Sequence, residues 1–353
     1  MKKKIKLKIF HGPHNVGGIG WNLSKLEKQA GYESEFIVYN TNPTKNNQDL
    51  SLNLKDRNFF IRPFLILFFF SKCLKKYNIF HFYFGRTFSP LNMDLPILKL
   101  FRKKMIMTYC GSEIRLVRDV EKKRNPYYFL LKVGSNDQKY DSYKKLMMRW
   151  QNLWIDKFFA VRELYKNAKV VIPKRKIVKD VYINNMLDIS SYQPSFHLRE
   201  IPTLIHATTN PSIKGSAFIE KSIMDLKKMN YKFNYKRLQG RPVDEVRNIY
   251  KNQADILIDQ FLLGSPGTFA MEGMYYGIPV CIFIMDDILK NMPPFPIVNC
   301  SVFNLTEKLA WLINNPQERM EIGKAGREFV EKYCDQTKIQ KHVLNIYKQL
   351  LTV

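Results

Sequence analysis

The sequence predicts an α/β protein made of two doubly wound parallel-sheet units joined by a linker. Three observations carry that prediction. Short apolar runs alternate with helical patterns along most of the 353 residues, as expected for parallel strands with crossover helices. A glycine-rich loop follows a strand-like run twice, at residues 11–20 and 264–267. A stretch without period, containing Pro194, separates the two halves at residues 187–200. Length agrees, because a chain of this size ordinarily splits into two cores.

The elements follow in order. Residues 4–10 alternate lysine with Ile5, Leu7 and Ile9 and read as a first strand. The next loop holds Gly17, Gly18 and Gly20, and Leu23 and Leu26 then sit at helical spacing ahead of Gly31, a C-terminal stop. Strands are expected at 35–39, 79–84, 104–110 and 156–161. Residues 170–173 and 181–183 are alternative last strands of this half. Beyond the linker come a strand at 203–207, a loop to Gly215 and a helix from about Ser216. An apolar run at 254–259, a short helix carrying Glu272 and a second run at 280–284 follow. Two helices fill 304–334 and break at Asn315-Pro316. Ile339, Val343, Ile346, Tyr347 and Leu350 form a last amphipathic stripe. The predicted boundaries are 1–186, a linker at 187–200, 201–334, and a C-terminal helix at 335–353.

Composition narrows the function. With 45% hydrophobic residues each half can bury a core. Five scattered cysteines without a C-x-x-C pair argue for a reducing compartment and against zinc. Lysines at 2, 3, 4, 6 and 8 resemble a charged leader, but no long apolar core follows, so no signal peptide is expected. The run at 59–70 is too short to span a membrane and is broken by Arg62 and Pro63. It reads either as an ordinary buried helix or as a surface for anionic lipid, flanked by Arg57, Lys72, Lys75 and Lys76. A net charge of +26 suggests nucleic acid, anionic lipid or charged glycan as partner, or lysine-rich solubility alone. Nucleic acid is disfavoured, since no helix-turn-helix, zinc finger or RNP-like pattern is present.

Residues 264–280 carry the most chemistry. A helix opening behind Gly267 presents unpaired N–H groups, around Thr268 and Phe269, to an anion. Glu272, further along, can accept hydrogen bonds from sugar hydroxyls, or it can be a surface carboxylate on the helix. The segment Glu272-Gly273-Met274-Tyr275-Tyr276-Gly277-Ile278-Pro279-Val280 resembles the nucleotide-sugar motif of retaining glycosyltransferases of family four. That resemblance implies the GT-B fold, two Rossmann-like domains facing across a cleft. It gives Glu272 a ribose-holding role. The family's first motif Glu, near the donor sugar, falls here on Gly264.

The resemblance extends to other segments. Lys214-Gly215 is similar to a Lys-Gly whose lysine contacts the donor diphosphate, although the usual basic partner before it is replaced by Thr209, Asn210, Pro211, Ser212 and Ile213. Gly17-Gly18 matches a loop near donor phosphate and acceptor. Tyr109-Cys110-Gly111-Ser112-Glu113-Ile114-Arg115 resembles Tyr-His-Gly-Ser-Asp-x-Arg, with Cys110 and Glu113 in the His and Asp positions. Glu113 and Cys110 are thus candidates for sugar contact or acceptor activation, and Glu113–Arg115 is equally a structural ion pair. His81, alternating with apolar residues, reads as a satisfied core histidine. Base selection is expected from the loop at Gln239-Gly240-Arg241.

The expected activity is metal-independent, retaining transfer from a nucleotide-sugar co-substrate, without a separate cofactor, to a glycan or lipid-linked acceptor in cell-surface polysaccharide synthesis. The expected place is cytoplasmic, peripheral on the inner face of the cell membrane, with no nucleic-acid partner. The alternative is an inactive relative acting in assembly or sugar binding, for which Gly264 and Pro211 speak.

Overall fold

A computed structural model describes residues 6–41, 47–130, 140–178, 186, 188–189, 192–194, 196 and 198–352. The chain divides into two compact units, residues 1–116, 139–186 and 336–353 in the first and 117–138 and 187–335 in the second.

The first unit begins with β1 (Lys8–His11), α1 (Ile19–Gln29), β2 (Glu33–Val38), β3 (Leu50–Ser51), α2 (Arg62–Lys76) and β4 (Ile79–Tyr83). It continues with α3 (Leu95–Leu100), β5 (Lys104–Tyr109), α4 (Asp141–Trp154), β6 (Lys157–Ala160), α5 (Arg162–Lys169) and β7 (Ile177–Val178). Its parallel sheet has the order β3-β2-β1-β4-β5-β6-β7. The direction of winding reverses between β1 and β4, where Phe10 pairs with Phe80 and His11 with His81. Strands buried on both faces need mostly apolar residues, and Phe10, Phe80 and Phe82 supply them, with Phe10 stacked on Phe88 of the loop after β4 at 4.9 Å between centroids. Each such ring contributes about 1.5–3 kcal/mol by leaving water. Gly31 ends α1 as expected: its N–H bonds to the Lys28 carbonyl at 2.9 Å and that of Tyr32 to Glu27 at 3.0 Å.

Right-handed crossovers place α2, α3 and α4 on one face of this sheet and α1 on the other. Two sequence expectations change here. Residues 170–172 are a turn, and the edge strand is β7; the alternative at 181–183 lies outside the described residues. Residues 59–70 are not an ordinary buried helix. Phe59, Phe60 and Phe64 are 71%, 78% and 73% exposed, and only Phe69, Phe70 and Cys73 of α2 reach the core.

The second unit runs β8 (Thr203–Thr208), α6 (Pro211–Lys214), α7 (Ser216–Lys228), β9 (Asn234–Gln239), α8 (Val243–Gln253) and β10 (Ile256–Ile258). Then come α9 (Thr268–Tyr275), β11 (Val280–Ile282), α10 (Asp286–Leu289), β12 (Val298–Asn299), α11 (Leu305–Asn314) and α12 (Pro316–Tyr333). The sheet order is β12-β11-β10-β8-β9, again parallel, with its reversal between β8 and β10. Leu204, Ile256 and Cys281 from the strands pack with Ile219, Ile223, Leu305 and Leu309 from the helices.

The last helix, α13 (Gln336–Thr352), belongs to the first unit. Its Gln340 amide donates to the Leu26 carbonyl of α1 at 3.0 Å.

Candidate functional site

In an open parallel sheet the crevice for ligands lies beyond the carboxyl ends of the strands at the reversal point. In the second unit this is the ground between the end of β8 and the end of β10. Asp259, the first residue after β10, is wholly buried there. Lys214, at the end of α6, donates to its Oδ1 through Nζ. Asp259 Oδ2 is also buried and has no hydrogen-bond partner among the described residues. Leaving such an oxygen without a donor costs about 1–3 kcal/mol unless a water or a ligand supplies one.

The glycine loop closes over this carboxylate. A Cβ on Gly267 would lie 3.1 Å from Asp259 Oδ2, so a side chain there would crowd it. Gly267 is also the N-cap of α9 and supplies no side-chain acceptor. The first N–H groups of the helix, at Thr268 and Phe269, are therefore open to an anion. Lys214 Nζ lies 5.4 Å from the Phe269 ring centre. Lys214, Gly267, Thr268 and Phe269, singled out in the sequence, thus converge on one point, together with Asp259. Gln260 Nε2 donates to the Ser265 carbonyl at 2.5 Å, and Asn125 Nδ2 to that of Leu262 at 2.7 Å, which holds the loop. Behind it, His206 bonds the Ile258 carbonyl and Ser216 Oγ, both at 2.8 Å, and burial lowers it to about 4, so the ring is neutral.

Glu272 is on the buried side of α9, with 5% exposure, which excludes the surface-carboxylate reading. Its Oε1 accepts from Arg247 Nε at 3.0 Å and from Arg247 Nη2, and its Oε2 accepts from the Tyr250 hydroxyl at 2.6 Å. Burial alone would lower the Arg247 pKa, but the hydrogen bond and charge of Glu272 raise it. The Tyr250 phenol is pushed up by burial and by the same carboxylate.

Gly264, in the place of the family's first acidic residue, has φ +67°. A Cβ there would meet Met285 Cγ at 2.6 Å. The local backbone and Met285 together have no room for the missing carboxylate.

In the first unit, Gly17 (φ +62°) and Gly18 (φ +76°) form the loop after β1 and lead into α1. Glu113 and Cys110 form a turn at the carboxyl end of β5. The Glu113 carboxylate accepts from the backbone N–H of Cys110 and, at 2.8 Å, from that of Gly111. Burial raises its pKa, against those bonds and the more distant Arg115 charge. It therefore braces the turn through backbone groups instead of pairing with Arg115. The Cys110 thiol faces the Thr108 carbonyl at 3.6 Å, and burial pushes it up, so it is a neutral donor near pH 7 and not a base. His81 is a core residue as expected, bonded to Tyr347 and Thr108 at 2.5 and 2.6 Å.

Several site residues escaped the sequence reading. Asp259 had a signal, a carboxylate ending an apolar strand directly before the glycine loop. Arg247 and Tyr250 had none, because α8 brings them to Glu272 from more than twenty residues away. Among the described residues no cluster of three or more His, Cys, Asp or Glu could hold a metal, and no helix is long and apolar enough to cross a membrane.

No family model matches this chain, and no curated protein matches it. Solved structures do. Sucrose-phosphate synthase from Thermosynechococcus elongatus superimposes with a TM-score of 0.70 at 13% identity, over 99% of this chain and 100% of that one. WaaG, a glycosyltransferase involved in lipopolysaccharide biosynthesis, gives 0.57 at 12% identity, over 96% and 99%. A putative UDP-N-acetylglucosamine 2-epimerase from Listeria monocytogenes also gives 0.57, at 10% identity, over 96% and 95%. The chain therefore has the α/β fold of GT-B glycosyltransferases, a fold that an epimerase can share, so its activity has to be argued from the site.

Proposed function

We propose that the chain is a retaining, metal-independent glycosyltransferase that uses a nucleotide sugar. The observation that carries this reading is the polar site at the β8/β10 reversal, which has open helix N–H groups and one buried carboxylate oxygen short of a donor. The N–H groups of Thr268 and Phe269 hold the donor diphosphate. Lys214 is already engaged by Asp259, so it contributes as half of a pair and not as a free cation. Asp259 Oδ2 accepts a hydroxyl of the bound donor. Glu272 holds the ribose by exchanging its Tyr250 or Arg247 bond for one from a ribose hydroxyl. In transfer, the anomeric C–O bond to the diphosphate breaks on the same face on which the bond to the acceptor oxygen forms. The leaving phosphate oxygen takes the acceptor proton, so neither Cys110 nor Glu113 has to act as a base; Glu113 positions the Cys110–Gly111 turn.

The proposed setting is the cytoplasmic membrane face, in surface polysaccharide synthesis. The exposed aromatic residues at 59–68 support it, flanked by Arg57, Lys72 and Lys75 and by a net charge of +26. Lys72 Nζ sits 4.3 Å from the Phe68 ring centre, as in a side chain that covers an apolar surface and keeps its charge in water. Flotation with anionic and with neutral vesicles tests this. Binding to anionic vesicles that is lost in Phe60→Ser/Phe64→Ser supports docking, and equal recovery with both vesicle types contradicts it.

A second reading, an inactive relative that still binds nucleotide, is favoured by the Gly264–Met285 packing. Hydrolysis of a panel of UDP-, GDP-, ADP- and dTDP-sugars, measured beside their binding, separates the two: binding without any turnover, with acceptor extracts present, selects the inactive relative.

A further inference from the structure

The first unit contains a cavity of about 740 Å³, with Tyr109 and Glu113 in its wall. This is the size of a small-molecule site, for which roughly 300–1,000 Å³ is usual. It opens at the carboxyl ends of β4 and β5 and runs between α2 and α4.

Its lining has two characters. Ile66, Leu91, Met147 and Met148 make apolar walls. The polar groups at its back are used up among themselves: the Tyr109 hydroxyl donates to Gln151 Oε1 at 2.6 Å, and Gln151 Nε2 to the Gly85 carbonyl at 3.0 Å. Two cations remain. Lys144 is 8% exposed, and among the described residues its ammonium bonds only the Arg115 carbonyl, at 3.0 Å. An ammonium has three N–H donors, so a nearly buried one with a single neutral acceptor is short of partners. Arg86, at the rim, pairs with no carboxylate among the described residues. His14, also lining the cavity, is lowered to about 4 by burial and then by Arg86, and adds no charge. Glu113 is the one acidic group there, and backbone N–H groups occupy both its oxygens.

The mouth continues into apolar surface. Ile66 belongs to α2, the helix whose outer side exposes Phe64 and Leu67, and Leu91 at the rim is itself exposed. An apolar chain could enter from that side without crossing water.

We infer that this cavity takes an amphiphilic acceptor, its apolar chain along Ile66, Met147 and Met148 and its anionic group against Lys144 and Arg86. The inference rests on the transferase reading for the word acceptor; the binding chemistry rests on the cavity alone. It narrows the acceptor to an anionic lipid-like molecule and sets aside a free neutral glycan.

Direct binding tests it without any nucleotide, so its failure leaves the donor site untouched, and failure of the donor site leaves this result standing. The probes are decyl phosphate below its micelle concentration, decanol and inorganic phosphate, followed on the full chain by tryptophan fluorescence. Trp150, whose indole donates to the Asn92 carbonyl beside the cavity at 3.2 Å, is a natural reporter. Decyl phosphate is expected to bind saturably and at least about tenfold more tightly than either decanol or inorganic phosphate. Arg86→Glu, at an exposed position, and Ile66→Trp, at the mouth, should each weaken it by about tenfold or more. Phe60→Ser should not change it. Equal binding of decanol and decyl phosphate, indifference to Arg86→Glu in a protein with unchanged melting temperature, or loss of binding in Phe60→Ser would each overturn the inference.

Discussion

At the β1/β4 reversal of the first sheet, His11 and His81 are wholly buried and every ring nitrogen has a partner. His11 meets Tyr83 at 2.6 Å and Glu27 at 2.8 Å, and His81 meets Tyr347 and Thr108. At the β8/β10 reversal of the second sheet, His206 is equally satisfied, but Asp259 in front of it is not. Among the described residues the Glu27 carboxylate does keep one oxygen without a partner, yet its other oxygen accepts from both His11 and Ser34. The Asp259 carboxylate has only Lys214 among the described residues, and it lies under an uncapped helix start. At the first reversal both buried rings are met by the protein's own groups, whereas at the second a buried carboxylate oxygen faces an uncapped helix start. The proposed donor site rests on that difference.

The comparison can be broken by mutation. His11→Ala removes a ring from a packed interior and a partner from both Glu27 and Tyr83, and should cost about 3–4 kcal/mol of stability in chemical denaturation. Its nucleotide affinity, measured by calorimetry below the unfolding transition, should stay at the wild-type value; a large loss would mean that the first reversal point also serves the donor. Lys214→Ala strands a buried carboxylate and should cost about 3 kcal/mol, and it should weaken nucleotide binding as well. Stability that is unchanged in Lys214→Ala would show that the pair is not the buried one described.

Gly264→Glu restores the acidic residue the family motif would have. At φ +67° and against Met285 it should destabilise the chain by about 2–3 kcal/mol rather than create activity. Activity gained together with normal stability would contradict the packing argument.

The smallest effect is a pH dependence. His206 titrates at about 4 in the fold, against an ordinary value of 6.5. Its contribution is complete above pH 6.5, is lost as pH falls because the unfolded chain takes the proton first, and levels off below about 4. Between pH 7 and 5.5 that loss is about 1 kcal/mol. His206→Asn should flatten this part of the stability curve in part, leaving slopes of the same sign from His14 and His81 in the first unit. An unchanged slope would mean that His206 is not held neutral.

Much of the fold was legible in the sequence because burial on both faces of a parallel strand leaves an uninterrupted apolar run. β10 and β11 are such runs, β4, β5 and β8 are mostly apolar with a buried His or Thr among them, and the break between α11 and α12 stands at Asn315-Pro316 as the proline requires. β9 is hard to read because Lys236 and Arg237 interrupt it, and an edge strand tolerates them. The exposure of 59–68 is not legible, since an apolar run looks alike whether it faces a core or a surface. In the site, glycine spacing and the Lys-Gly pair identified residues that converge locally. The partners of Lys214 and Glu272 arrive through tertiary contact, so only geometry brings Asp259, Arg247 and Tyr250 into the argument.

The central claim is that the second unit binds a nucleoside diphosphate at the start of α9. Thermal unfolding of the full chain with UDP, GDP, ADP and dTDP tests it most directly, with Glu272→Gln measured alongside. One nucleotide class should raise stability by about 2.7 kcal/mol at one hundred times its dissociation constant, and the shift should fall sharply in Glu272→Gln. No shift with any nucleotide in well-folded protein, or one that Glu272→Gln leaves intact, would contradict the account.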